Sequence, residues 1–354
     1  MTDAAATSSP RTSPLLGRVS IAAAVVVAIA LFAVAYRRGG VLDLPPVPSG
    51  VTPERAGVNN IAVMGERARA LDTLVTRAAS GAALEGDPHL VKAAEGVAAA
   101  RRGEGEAGLR KIREALSAQP DDLVIGNTYR MAVLSLRRSA SANGASRDTL
   151  AEHLPSYLEG ESVGTLETLY RQHPSREAGF QLVMAWVDEI LLSPDERKAG
   201  PALTSMKLLN EILAKDPYYL PALCTRGLAY LNPPSRIDFI PAWKKLMRPV
   251  PNAASRDLSL CMAIGARVGG GSRQAAATQA LNLGDAYAKE GQPERARSWW
   301  QIAQNASRDE ALLAAIRRRF AWRDDELIDQ VEKEIMASIT DLDHSPTDLS
   351  LLWR

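Results

Sequence analysis

The stretch Ala280–Ala303, ALNLGDAYAKEGQPERARSWWQIA, sets small and large apolar residues at fixed steps on either side of a turn. Leu283 and Gly284 are followed by Tyr287, and then, beyond Gly291 and Pro293, by Ala296, Trp300 and Ala303. A glycine adopts the left-handed conformation that ends a helix, and a proline suits the first turn of the next. The spacing therefore predicts two helices folded back on one another. Gly284, Ala296 and Ala303 fall where the backbones approach, and Tyr287 and Trp300 fill the gap beside them. One such hairpin cannot bury its own apolar face, so the chain must supply others.

Upstream residues repeat parts of this pattern. Pro120, Pro174 and Pro217 each end an apolar helical run. Five and eight positions before them stand Ala115 and Ile112, Leu169 and Leu166, and Ile212 and Leu209. Gly227 and Tyr230 follow Pro217 at the spacing that Gly284 and Tyr287 keep, while Arg130 with Val133 and Met184 with Val187 take those places after Pro120 and Pro174. Gly96 and Ala99 hold the corresponding phase before Pro120.

On these residues the chain resembles the tetratricopeptide repeat family, helical hairpins of about 34 residues that stack into a superhelix. Leu283, Gly284, Tyr287, Ala296, Trp300 and Ala303 carry the likeness, and Gly227 with Tyr230 extends it. The intervals depart from the family period: Pro120 to Pro174 is 54, Pro174 to Pro217 is 43, and Gly227 to Gly284 is 57. The resemblance implies an all-α, irregular solenoid with insertions, among them 139–157 and the proline-rich 232–251. A last helix, EALLAAIRRRFAWRDDELIDQVEKEIM, would cap it.

Composition agrees with helix packing. The 354 residues are 46% hydrophobic but only 5% aromatic, and alanine and leucine suit helices rather than sheets. With 42 Lys plus Arg against 41 Asp plus Glu, nothing in the net charge calls for nucleic acid.

Val19–Tyr36 is uncharged and flanked by Arg18 and Arg37-Arg38. As a helix it would be about 27 Å long, near the roughly 30 Å of a bilayer's hydrocarbon core. A retained transmembrane anchor is expected; a signal peptide cleaved after Ala33-Val34-Ala35 is the competing reading. Arginines on both flanks leave its orientation open. The expected order is a tail (1–18), the anchor (19–36), a stiff Pro/Gly-rich spacer (37–57), a leading helix and loop (58–87), the repeat array with its cap (88–338) and a final tail (339–354). A looser likeness, to exported or anchored bacterial repeat proteins, leans the array towards the extracytoplasmic side.

No constellation for catalysis, cofactor or metal stands out. GARVGGGSRQ lacks the lysine–hydroxyl pair of a phosphate loop and follows a helix, so it reads as a connector. Asp121-Asp122 and Asp324-Asp325 sit at helix starts, where the macrodipole favours them. The basic run Arg317–Arg319 with Trp322 reads as a solvated face. Trp300 belongs to the core, and Trp299 is open. Cys224 and Cys261 are too few for a zinc site; buried free thiols are expected, with a bridge between neighbouring hairpins the alternative in an oxidising compartment.

These readings point to binding rather than catalysis. In such an array the first helix of each hairpin lines a concave groove, onto which periodicity places Asn127, Met131, Gln181, Asp188, Asn282, Asp285 and Lys289. Polar residues of both signs suit an extended peptide. The expected function is a membrane-anchored, non-catalytic scaffold for a protein or peptide partner, without cofactor. The alternative is an extracytoplasmic binder of a small ligand, with 232–251 as its lid.

Overall fold

A computed structural model describes residues 44–57, 59–142, 155–192, 199–232, 251–269, 272–340 and 348–352. Contacts divide the chain between Leu44 and Pro45, and all the described helices belong to the unit from Pro45 onward. The expected apolar anchor at 19–36 lies outside the described residues. So do the core of the expected lid, 233–250, and most of the insertion 139–157. No helix among the described residues is long and apolar enough to cross a membrane.

The described residues form thirteen α-helices and no strand. They are α1 (Asn59–Ala79), α2 (Pro88–Arg101), α3 (Gly105–Ala118), α4 (Leu123–Ala142), α5 (Glu161–Gln172), α6 (Arg176–Leu192), α7 (Ala199–Lys215), α8 (Leu220–Leu231), α9 (Ala253–Val268), α10 (Arg273–Lys289), α11 (Pro293–Ala306), α12 (Glu310–Phe320) and α13 (Leu327–Thr340). Neighbours in sequence pack on one another, in a repeat-like all-α arrangement. The turns are written in the local residues. Gly291 has φ +71°, and Pro293 opens α11. Asp87 caps α2 through the N–H groups of His89 and Leu90, and Asp122 caps α4 through those of Val124 and Ile125.

Small residues set the closest approaches. A Cβ on Gly96 would lie 2.6 Å from the Gly108 carbonyl, and one on Gly108 would lie 2.6 Å from that of Gly96. Lys92 pairs with Glu114 and Lys111 with Glu95, so α2 and α3 run antiparallel. Gly284 lies against the Trp300 indole, where a Cβ would be 2.4 Å from Cδ1 and 3.0 Å from the Ala296 carbonyl. Trp300, Ala296, Ala303 and Leu283 are all fully buried, and Tyr287 is nearly so. In the α8–α9 pair, Gly227 meets Leu258 and Arg226 meets Asp257, while Tyr230 is buried beneath the Arg226 guanidinium.

Four expectations need correction. Cys224 and Cys261 are not free thiols: a disulfide joins them across α8 and α9, with their Cα atoms 5.5 Å apart. The spacer does not stand clear of the array from Pro45 onward. An extended strand cannot satisfy its own carbonyls, and here the helices do so. Arg267 donates to the Val47 and Pro48 carbonyls, Arg176 to those of Glu54 and Arg55, and the Leu220 N–H at the start of α8 to that of Ala56. Val51 and Ala56 are buried by this docking. The cap is two helices rather than one. Arg297 of α11 takes the Trp322 carbonyl and the Asp324 carboxylate, while Trp322 sets its ring edge-on to Trp300, and the chain turns there. Finally, Arg319 is not on a solvated face but buried, with a two-pronged contact to Asp285.

Candidate functional site

The polar residues expected to line one groove divide between the fold's own bonds and an accessible face. Gln181 is fully buried; its amide lies over Gly126 and donates to the Asp122 carbonyl at 3.2 Å. Asp285 is spent on Arg319, at 2.7 and 2.8 Å, and on the Trp300 indole N–H at 2.9 Å. Lys289 donates to the Leu231 carbonyl at 3.0 Å and pairs with Glu332 of α13 at 3.1 Å. Asp188 is buried against Arg130. Reversing charge at Asp188 and Asp285 would therefore test the fold before any groove. Asn282 is half-buried on α10, and Met131 half-buried on α4. Trp299, left open by the sequence, is core.

Asn127 stands apart, because its side chain holds another stretch of this chain. Its Nδ2 donates to Asp348 Oδ1 at 2.8 Å, and its Oδ1 accepts from the Leu349 N–H at 2.9 Å. One amide thus takes both a side-chain acceptor and a backbone donor from a segment more than two hundred residues away. Leu349 and Ser350 are buried there. The 3-10 turn Leu349–Leu352 lies against both α4 and α10, so the array curls far enough for one short segment to touch two of its helices.

A buried relay fixes the orientation of that amide. Arg130 is inaccessible to solvent; its Nη1 reaches Asp188 Oδ2 at 2.8 Å, and its Nη2 donates to Asn127 Oδ1 at 3.0 Å. The guanidinium must have an acceptor before it, so Oδ1 faces Arg130 and Nδ2 is left to face the incoming acid. Asp188 orients Arg130, and Arg130 orients Asn127. On the opposite face of α4, the Tyr129 hydroxyl donates to Glu161 Oε1 at 2.7 Å and pins α4 to α5; burial pushes this phenol well above its ordinary value.

Sequence reasoning named Asn127 and Met131, which both lie on α4, and missed Arg130 and Asp348–Ser350. Arg130 did carry a signal. It occupies the position that Gly227 takes after Pro217, and a long cation at a close-packing position demands a buried acid on the next hairpin.

Nothing about α4 points to a resident metal. No group of three or more His, Cys, Asp or Glu among the described residues is placed to hold one. Compared with protein-family models, with curated proteins and with solved structures, the chain matches none.

Proposed function

We propose that this protein is a membrane-anchored, non-catalytic scaffold of degenerate tetratricopeptide hairpins that holds a protein or peptide partner on the α4 face. The observation that carries the reading is the Asn127 amide, oriented from behind by Arg130 and Asp188, with a peptide N–H and a carboxylate on its two ends. An amide fixed in this way recognises main chain as well as side chain, which is what an extended peptide offers. The hairpin reading is supported by the Gly284–Trp300 contact and by the starts of α2 and α4, at Pro88 and Leu123, whose spacing is close to the family period. Later first helices begin at Arg176, Leu220 and Arg273, and the long connections run between the two helices of a hairpin, from α4 to α5 and from α8 to α9, in line with insertions inside hairpins.

The anchor rests on Val19–Tyr36. The Cys224–Cys261 bridge favours an oxidising, extracytoplasmic side for the array, since reducing cytosol keeps such thiols open.

Affinity capture of the full-length chain from detergent-solubilised membranes tests this function. Asn127→Asp keeps an acceptor for Arg130 but removes the outward donor and repels an acidic ligand. It is expected to lose the partner while the helical content holds. The same proteins retained by wild type and variant would exclude the α4 face as the binding surface.

A further inference from the structure

The segment on Asn127 belongs to the protein itself, and its chemistry describes a ligand. Asp348 uses both of its carboxylate oxygens. Its Oδ1 accepts from Asn127 Nδ2 and from the Ser350 N–H at 2.9 Å, while its Oδ2 accepts from the Ser350 hydroxyl at 2.9 Å. The aspartate therefore caps its own turn in the act of binding. The cap brings the Leu349 N–H round to Asn127 Oδ1 and turns the Leu349 side chain inward, where it is buried. The three residues divide the work. The acid meets the amide and caps the turn, the aliphatic residue is buried, and the hydroxyl residue locks the cap.

We propose that Asp348–Ser350 is a built-in occupant of the α4 site, and that the partner's own segment is an Asp–aliphatic–Ser turn that displaces it. This rests on the peptide-holding reading of α4 and adds both the ligand class and its regulation. A segment tethered in cis meets its site at an effective concentration on the order of millimolar. A free peptide of equal intrinsic affinity then binds weakly until the tether lets go. The site is closed to casual ligands and opens to a partner that brings the same turn together with further contacts, or arrives at high local density on the membrane.

The test uses the full-length chain in detergent micelles and a fluorescently labelled peptide, SPTDLSLLWR, of residues 345–354, followed by anisotropy. Wild type is compared with Asp348→Ala/Leu349→Ala, which empties the site without touching α4. The double variant is expected to bind the peptide at least about ten-fold more tightly than wild type, because the competing cis segment is gone. A peptide with the same two alanines should not bind. Asn127→Asp added to the double variant should reverse the gain. Equal affinity for wild type and double variant overturns the proposal, and so does binding that survives Asn127→Asp. The first comparison needs no change in α4, so its outcome stands even if Asn127→Asp weakens the fold. Absence of peptide binding to every chain also overturns the proposal. If the double variant then still captures a partner that Asn127→Asp loses, the scaffold function stands without its internal occupant; if it does not, both fall.

Discussion

Single side chains in this protein are engaged in ways that their residue type alone does not announce. Asp188, Asp257 and Asp285 are all buried, and each is met by an arginine from another helix: Arg130, Arg226 and Arg319. Truncating one side of such a pair strands a charge in the interior, which costs on the order of 3–5 kcal/mol. Asp285→Asn keeps an acceptor for the Trp300 indole but leaves Arg319 without its carboxylate. Its unfolding free energy, measured by denaturant titration, should fall by an amount in that range, and an unchanged value would mean that the pair is not formed. Glu290 predicts a pH effect of defined sign. Burial at the end of α10 raises its carboxyl above the usual 4.5, against the Ser255 bonds that pull it down. A raised acid contributes stability below its unfolded value and loses it as the pH rises through the folded one. Glu290→Gln should therefore melt higher than wild type at pH 7 and lose that advantage near pH 4. Thermal melts at the two values check it.

Elements follow the same division between what is local and what is not. Helix starts and ends were legible because the residues that set them are adjacent in sequence: Pro120, Pro174 and Pro217 lie just beyond α3, α5 and α7, and Gly291 and Pro293 form the turn between α10 and α11. The Gly284 contact was legible for the same reason, since its partner helix follows after one short turn. Gly284→Val would drive a branched side chain into Trp300, and overpacking of this kind costs about 1–3 kcal/mol. Equilibrium unfolding of the variant measures it, and no loss would deny the close approach of α10 and α11. Contacts between distant elements were not legible. Arg67 of α1 reaches Asp87, Asp122 and Gln119 at once and ties the caps of α2 and α4 together. Burial alone would raise the Asp87 carboxyl; Arg67 and two backbone N–H groups outweigh it and hold it below the usual range. No periodicity reveals that a loop acid and a first-helix arginine will meet. For the site, periodicity supplied the face that carries Asn127, but it also assigned Asp188 and Asp285 to that face without seeing the arginines that claim them.

At the scale of the whole molecule, two segments outside the array close upon it. Pro45–Gly57 is fastened by Arg176, Arg267 and the start of α8, and Asp348–Leu352 is fastened by Asn127. The proposed scaffold asks for a protein or peptide partner that presents a segment to the array. The central claim is that such a partner sits on the α4 face. Its most direct test is photo-crosslinking in native membranes, with a photoreactive residue placed at Met131, one turn beyond Asn127, or at Arg171 on α5, whose side chain is 73% exposed. Discrete adducts are expected from position 131, abolished by Asn127→Asp, and none from position 171. Adducts from both positions alike, or adducts from 131 that persist in Asn127→Asp, would contradict a partner on the α4 face.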